Sequence, residues 1–593
     1  MNVSEYLVSF LENKGVDRVF GVVGGAALWI CKALGESKKI SPVFTNHEQA
    51  ATMAADGWAR ISGKPGIVFT INGPGMTNTV TGIAQAWTDS SPVILITGNS
   101  NLNSVKYERE NGVRQYGTQD VRTDEIMKSI TKKTFLLEKA EDAPRCFEEA
   151  YQLSLSGRPG PVCIEIPINI QSAEVPADKL LEEEVRNWSE KFETFDVQKV
   201  TEILSKAKRP LILAGQGVRL ADTVKEFREF IHKYRIPVVN SRMGIDTITS
   251  EDELFVGRAG NHGSRASHFA LQTCDVLLVL GSRLAPNTTG YDVSKFSTQS
   301  YKILVEIEKN ELNKYQLKMD EVIHTDIKMF LSQMNQSGEV VVDSDREKWI
   351  TCCNDWRDRY PIMQEEYYSN PKISTYRVVE EVSNYAGDKD LILSDTGSCC
   401  SIVAQTWNVK EDQRVFISGG LSAMGYWATS MGLALANKSD GQVICFVGDG
   451  SLQMNIHELA TMNAYGMPIK MFVISNNGYQ FVKMSQGAYD INPPFGTDIT
   501  AGVPIPDIKK VVEAYGLNYM KCDSKEELTN IIQAVMDSSE TVICEVFVDD
   551  NQEVCPRLKS IALEDGTFVS PQYENLYPFL DSSILKAELE KAR

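Results

Sequence analysis

The sequence predicts an α/β protein made of three doubly wound parallel-sheet units followed by an irregular C-terminal tail. Two observations carry that expectation. Short apolar runs of strand length alternate with stretches of helical spacing, the pattern of buried parallel strands joined by crossover helices. Polar or charged stretches around residues 173–190 and 335–345 break the alternation twice, dividing it into three. A chain of 593 residues is long enough for three or four such cores.

In the first unit Arg18-Val19-Phe20-Gly21-Val22-Val23 reads as a strand ending at Gly24-Gly25. Pro42-Val43-Phe44 reads as a second, leading through Asn46-His47-Glu48 into an Ala-rich helix to about residue 60. Gly66-Ile67-Val68-Phe69-Thr70 ends at Asn72-Gly73-Pro74-Gly75, and residues 92–98 follow one helix later. The second unit opens with strands at 209–215, 275–281 and 303–307. The third begins near Ile373 and holds the apolar runs 443–447 and 471–474. Expected boundaries are therefore 1–172, 190–335 and 370–550, with a tail at 551–593 marked by Pro556, Pro571 and Pro578.

Composition narrows the function. Sixty basic against 79 acidic residues give a net charge of −19, which argues against a broad nucleic-acid footprint or an anionic-membrane surface. The 12 cysteines form no CxxC pair and the six histidines no HExxH pattern. Neither a disulfide framework nor a zinc site is expected, and a reducing cytosol is. The N-terminus runs directly into an amphipathic helical pattern without a signal peptide, and no apolar run reaches the roughly 20 residues of a membrane span. A cytoplasmic protein is the expectation.

The most informative segment is Gly448-Asp449-Gly450, followed by Asn476-Asn477-Gly478-Tyr479. Both follow apolar strands, and residues 451–464 between them carry helical spacing up to Gly466. Asp449 and Asn476 should then sit at the carboxyl ends of neighbouring strands, where open α/β sheets bind ligands. A carboxylate, an amide oxygen and a backbone carbonyl suit a hard divalent ion that shares its shell with phosphates. Taken alone, the same residues also suit two unrelated strand-ending turns.

The arrangement resembles the diphosphate motif of thiamine diphosphate (ThDP) enzymes, and the wider chain is similar to their acetolactate synthase branch. The resemblance implies pyrimidine-binding, central FAD-type and diphosphate-binding units in that order. Asn46-His47-Glu48-Gln49-Ala50-Ala51 looks like the family's catalytic glutamate motif. Glu48 would share a proton with N1′ of the aminopyrimidine so that C2 of the thiazolium can be deprotonated. A helix-start carboxylate stabilised by the dipole is the plainer reading of Glu48. Gly24, Gly25, Gly75 and Gln119 resemble active-site elements of the pyrimidine side. Ser418-Gly419-Gly420-Leu421-Ser422-Ala423-Met424 resembles the pyrimidine-gripping loop, with Met424 holding the cofactor bent and Ser422 beside it. Gly397 and Ser398 take the place of a diphosphate-contacting turn, and Gly450, Ser451 and Tyr479 adjoin the diphosphate. Mg2+ would be held by Asp449, Asn476 and the Gly478 carbonyl, Ser475 standing where the family has its first Asn.

In the middle unit, Gly215, Gly217, Arg283 and Glu306 lie in four segments similar to the family's FAD-binding domain. Ala285-Pro286-Asn287 replaces the usual Asp-Asp-Arg run. The resemblance also implies a homo-oligomer, because Glu48 and Asp449 would reach one cofactor from different subunits. It implies pyruvate as a 2-oxo acid donor and a carbonyl acceptor. The acceptor pocket is expected at Thr118, Phe481, Val482 and Ser485. Thr118 and Ser485 stand where acetolactate synthases carry Phe and Trp, each change removing on the order of 150–250 Å² of aromatic surface. A pocket opened this way is expected to admit a larger ketone. The tail, Pro556-Arg557-Leu558 to Asp565-Gly566-Thr567 and Tyr577-Pro578-Phe579-Leu580, resembles relatives that add an acetyl unit to nucleotide-linked keto-sugars, and that resemblance implies an acceptor of this kind. A true acetolactate synthase using a second pyruvate, an aldehyde-releasing decarboxylase and a non-enzymatic ThDP-binding protein remain as alternatives.

Overall fold

The computed structural model describes residues 1–180, 192–314, 316–562 and 567–592. The C-terminal half of the expected linker, 181–190, and Asp565-Gly566 lie outside them. Three six-stranded sheets, each wholly parallel, form the frame. The first contains β1 (Arg18–Gly21), β2 (Ser41–Phe44), β3 (Gly66–Ile71), β4 (Val93–Asn99), β5 (Thr134–Leu136) and β6 (Val162–Pro167). The middle sheet contains β7 (Pro210–Ala214), β8 (Val238–Asn240), β9 (Phe255–Arg258), β10 (Val276–Leu280), β11 (Tyr301–Glu306) and β12 (Glu321–His324). The third contains β13 (Leu391–Ser394), β14 (Arg414–Ile417), β15 (Val443–Gly448), β16 (Ile469–Ser475), β17 (Asn518–Cys522) and β18 (Val542–Phe547). Central strands such as Val276-Leu277-Leu278-Val279-Leu280 are buried at every residue, as two helix-covered faces require.

Strand order decides where ligands can sit. The first sheet runs β2-β1-β3-β4-β6-β5, and the third repeats that order as β14-β13-β15-β16-β18-β17. Their order reverses between β1 and β3 and between β13 and β15, so a crevice opens beyond the carboxyl ends of each pair. The middle sheet differs: β12-β11-β10-β7-β8-β9 is the dinucleotide-binding order, with its switch point between β7 and β10.

The first and third units share one apolar core that includes Met53, Trp58, Trp427, Met431 and Leu433. Within it helix Glu48–Ser62 crosses helix Thr429–Ala436 at backbone contact: a β-carbon at Gly432 would lie 1.8 Å from the Ala54 carbonyl oxygen. A guanidinium ties the middle unit to the third. Buried Arg258 donates to the carbonyls of Ala404, Gln405 and Trp407 at 2.6–3.0 Å, capping helix Ser398–Thr406.

One expectation is corrected. Residues 451–464 do not form one helix: Asp449–Leu452, a 3-10 stretch Gln453–Glu458 and Leu459–Ala464 follow each other, with Asn455 at φ −133°. Asn455 leaves the helical register because its amide donates to the Gly425 carbonyl at 2.8 Å. The tail is largely irregular, as expected, with one short antiparallel pairing of Ile561–Ala562 with Phe568–Val569 and the helix Ser582–Lys591. No helix among the described residues is long and apolar enough to cross a membrane.

Candidate active site

The β1–β3 crevice gathers the first group of expected residues. Glu48 opens helix Glu48–Ser62, follows the N-cap His47 and is 9% exposed. Its Oε2 accepts from Asn78 Nδ2 at 2.9 Å. Glycines leave space around it. A β-carbon at Gly75 would lie 2.2 Å from Thr70 Oγ1 and 3.1 Å from Glu48 Oε1. One at Gly24 would strike Ile71, whereas Gly25 faces open space. Gly73, at φ +67°, lets the Gln119 carbonyl approach to 2.1 Å from where its β-carbon would be. Gln119 is itself at φ +65°, a strained backbone held by its surroundings. Thr118 and Gln119 are exposed, while the neighbouring Asp120 is buried and accepts from Ser100 Oγ at 2.7–2.8 Å.

The β13–β15 crevice and its neighbour β16 hold the second group. Gly448 of β15 pairs with Ile474 of β16, which sets Asp449 beside Asn476. Asp449 is fully buried; Gly450 N–H donates to its Oδ1 at 2.7 Å and Gly478 N–H to its Oδ2 at 3.2 Å. Burial nonetheless pushes its carboxyl up to about 6, against the downward pull of those amides. Gly478 is at φ +130°, and its carbonyl accepts from Gln480 N–H at 3.2 Å. The Tyr479 ring packs on Gly450, where a β-carbon would come within 2.4 Å of Cε1.

Asp395, at the end of β13, fastens the Met424 loop to this crevice. Its Oδ2 accepts from Ser451 Oγ at 2.9 Å and Trp427 N–H at 3.1 Å, and Ser451 Oγ accepts from Gly425 N–H at 2.9 Å. Burial raises the Asp395 carboxyl to about 6. Upstream, Asp89 of the first unit accepts from Gly420 N–H at 2.8 Å and Arg60 at 3.3 Å. Met424 is half-buried and Ser422 sits at φ +55°. Gly397, at φ +97° with open space around it, precedes Ser398 at the start of helix Ser398–Thr406. That helix start is of the kind that receives phosphate.

The middle-sheet switch point opens into a long cleft lined by Gly217, Arg283, Glu306, Arg242, His262 and Gly420. Gly215 does not line it; its backbone packs on Gly281, with a β-carbon site 2.2 Å from the Gly281 carbonyl. Glu306 is buried, and its Oε1 accepts from Ile307 and Glu308 N–H at 3.0 and 3.2 Å. Burial raises its carboxyl. The cleft meets the expected acceptor pocket where His262 stacks on Phe481, ring centroids 5.4 Å apart. Burial depresses the His262 imidazole to about 3, so it is neutral there. Val482 and Ser485 are exposed on the same helix, Gln480–Ala488.

Three family descriptions match in order: "Thiamine pyrophosphate enzyme, N-terminal TPP binding domain" over residues 1–126, the central domain over 197–334 and the C-terminal TPP binding domain over 395–546. The acetolactate synthase large subunit of Lactococcus lactis is 32% identical over 94% of this chain and 94% of its own length. The chain belongs to the thiamine pyrophosphate enzyme family. It is a ThDP-dependent enzyme of the acetolactate synthase-like branch. The Escherichia coli acetolactate synthase isozyme 2 large subunit is 28% identical over 94% of the chain and 97% of its own length. The chloroplastic acetolactate synthase of Arabidopsis thaliana is 29% identical over 95% and 83%.

The residues fit the family's cofactor. Asn476 is buried, and its Oδ1 has no hydrogen-bond partner among the described residues, an orphan acceptor beside a buried carboxylate. A hard cation bound to a diphosphate would satisfy both. Among the described residues no cluster of three or more His, Cys, Asp or Glu could hold a metal, so a site here must use the amide and carbonyl oxygens as well. A flavin dinucleotide also fits the middle cleft: Arg283 faces it without a carboxylate partner among the described residues, and the strand order is the dinucleotide one. The single chain gives Glu48 no hydrogen bond to Asp449, Asn476 or the Met424 loop. The two halves remain separate groups, and Thr118 likewise makes no hydrogen bond to the Ser485 helix.

Sequence reasoning missed Asn78, Asp89 and Glu458. Asn78 follows Gly73-Pro74-Gly75-Met76-Thr77 at a distance that would have put it in the same turn. Asp89 and Glu458 carry no local signal, because their partners lie up to 412 residues away.

Proposed function

We propose that the protein is a Mg2+-dependent ThDP carboligase that decarboxylates pyruvate and transfers the two-carbon acyl unit to a ketone larger than a second pyruvate. The observation that carries this reading is the buried Glu48 carboxyl at a glycine-lined crevice, matched by the orphaned Asn476 oxygen at the twin crevice. Bound ThDP supplies a nucleophilic carbon that adds to the keto group and accepts the electrons released with carbon dioxide. Asn78 donates to Glu48 Oε2, so Oε1 is the oxygen left to carry the proton exchanged with N1′. Asp449, Asn476 and the Gly478 carbonyl would hold Mg2+, with Gly397 and Ser398 beside the diphosphate. Gly450, Ser451 and Tyr479 shape that end, and Met424 and Ser422 grip the pyrimidine. Gly25 leaves room above the reacting carbon, and Gln119 borders the donor.

FAD would lie along Gly217, Arg283 and Glu306 in a structural role, since no redox step is needed. The units divide at 1–172, 190–335, 370–550 and 551–593. Two crevices contributed by different copies complete each site, which makes the enzyme a homo-oligomer, placed in the cytoplasm. Exposed Thr118, Val482 and Ser485 leave the acceptor side open and favour a bulky ketone such as a nucleotide-linked keto-sugar. A second reading, acetolactate formation from two pyruvates, is favoured by the names and near full-length coverage of the relatives.

Product analysis separates the two. The enzyme is incubated with pyruvate alone and then with pyruvate plus ketones of increasing size. Slow acetolactate formation, outpaced by adducts of the larger ketones, is expected. Fast, saturable acetolactate formation from pyruvate alone would establish the second reading.

A further inference from the structure

We infer that Glu458, in the metal-binding half of the chain, is a positioning residue for Glu48. The inference rests on Glu48 being the catalytic carboxyl. Glu458 ends the 3-10 stretch Gln453–Glu458 and is 0% exposed. Its Oε1 accepts from Asn46 N–H at 3.0 Å and His47 N–H at 2.9 Å. Its Oε2 accepts from Thr461 Oγ1 at 2.6 Å and more weakly from Asn46 N–H at 3.3 Å. Both amides belong to the turn immediately before Glu48, where no helical carbonyl can receive them. A single buried carboxyl group takes both.

The same turn is tied down on every side. Asn46 Nδ2 donates to the His457 carbonyl at 3.3 Å and Thr461 Oγ1 at 3.2 Å. Phe44 N–H donates to Tyr465 Oη at 2.8 Å. Beyond Glu48, the Gln49 amide donates to His47 Nδ1 at 3.2 Å. The backbone on both sides of Glu48 is therefore held, while its side chain reaches the crevice and accepts from Asn78. The fixing group stands nine positions after Asp449, on the segment that departs from helical geometry at Asn455. That departure is what lets the acid turn towards the first unit. A proton-exchanging carboxyl must hold its place within about 0.5 Å, and an error near 1 Å costs on the order of a hundredfold in rate.

The test uses the full-length enzyme with ThDP and Mg2+, and the cofactor-free protein for hydrogen exchange. Glu458→Ala is expected to lower kcat for pyruvate consumption about 10- to 100-fold while KM stays within about threefold. Amide exchange at Asn46 and His47 in the cofactor-free protein should quicken at least tenfold. Glu458→Gln keeps an oxygen at Oε1 and should return kcat to within about threefold of the parent. Unchanged kcat in Glu458→Ala, unchanged exchange at 46–47, or a Gln variant as slow as the Ala variant would each overturn the proposal. If Glu458→Ala does not fold, Glu458→Asp, which withdraws the carboxylate by one methylene, is held to the same criteria. Glu48→Gln separates the two levels: an active Glu48→Gln enzyme removes the catalytic assignment, and an inactive one beside an unimpaired Glu458→Ala enzyme removes only the positioning role.

Discussion

Gly57 and Gly432 let two helices from different units touch backbone to backbone. A β-carbon on Gly432 would lie 1.8 Å from the Ala54 carbonyl oxygen and 2.7 Å from Trp58 N, and one on Gly57 would lie 2.3 Å from the Thr429 carbonyl oxygen. No flexible side chain can yield there. Gly432→Ala should force the helices apart at a cost of about 1–3 kcal/mol or more. Calorimetry should show a lower unfolding midpoint, and fluorescence titration weaker ThDP binding. Parent-like values in both would contradict the tight seam.

Glu48→Gln removes the exchangeable acid and keeps the shape. Pyruvate decarboxylation and carboligation should both fall at least a hundredfold, the range general acid–base groups supply. Thermal unfolding should move little, because an amide oxygen can still accept from Asn78. Product analysis together with a melting curve checks both halves.

Asp395 gives a pH signature. Its carboxyl is held near 6 in the fold against a reference of 3.8, so the folded state favours the protonated form. The associated stability is present in full below about 3.8 and is lost as pH rises through 6, about 3 kcal/mol in all. Asp395→Asn cannot ionise. The stability of this variant relative to the parent should therefore rise between pH 4 and pH 7, whatever fixed cost the lost acceptor adds. Denaturant titrations at several pH values measure the slope, and a flat or falling difference contradicts it.

Refilling the acceptor side should change what the enzyme accepts. Thr118→Phe with Ser485→Trp adds aromatic bulk at two exposed positions. The ratio of acetolactate to larger-ketone adduct should rise at least tenfold, within the ~1–3 kcal/mol that such pocket changes command. Competition between pyruvate and a bulky ketone, read by mass spectrometry, is the measurement.

Arg283 faces the cleft at the middle switch point with no carboxylate partner among the described residues. Arg283→Ala should weaken flavin binding at least tenfold, in the range of a lost charged hydrogen bond, about 1.5–3 kcal/mol. Flavin absorbance of the purified protein and its recovery on adding FAD give the readout. Equal flavin content in variant and parent would remove Arg283 from the cofactor's contacts.

Much of the frame was legible in the sequence because parallel strands buried on both faces are continuous apolar runs. The runs at 443–447 and 471–474 fall within β15 and β16, and Asp449 and Asn476 stand at their carboxyl ends. What was not legible depends on partners distant in the chain. Residues 451–464 have helical spacing, yet Asn455 breaks the helix to reach Gly425, 30 residues away. Glu458 reads as an ordinary helix-surface acid until its two amide partners, more than 400 residues upstream, are seen. Sheet order is equally hidden, since nothing local records that β18 inserts between β16 and β17.

The repeated strand order of the first and third sheets makes the chain a matched pair of sockets with an adaptor of different pattern set between them. The pair is machined to one tolerance at the Gly57–Gly432 seam. The adaptor is fastened by hydrogen bonds, among them Arg258 to the end of helix Ser398–Thr406, Arg158 to Glu308 and Ser250 N–H to the Val409 carbonyl. Drift between the sockets meets backbone at once, and so the ThDP frame is the part of this molecule least free to change.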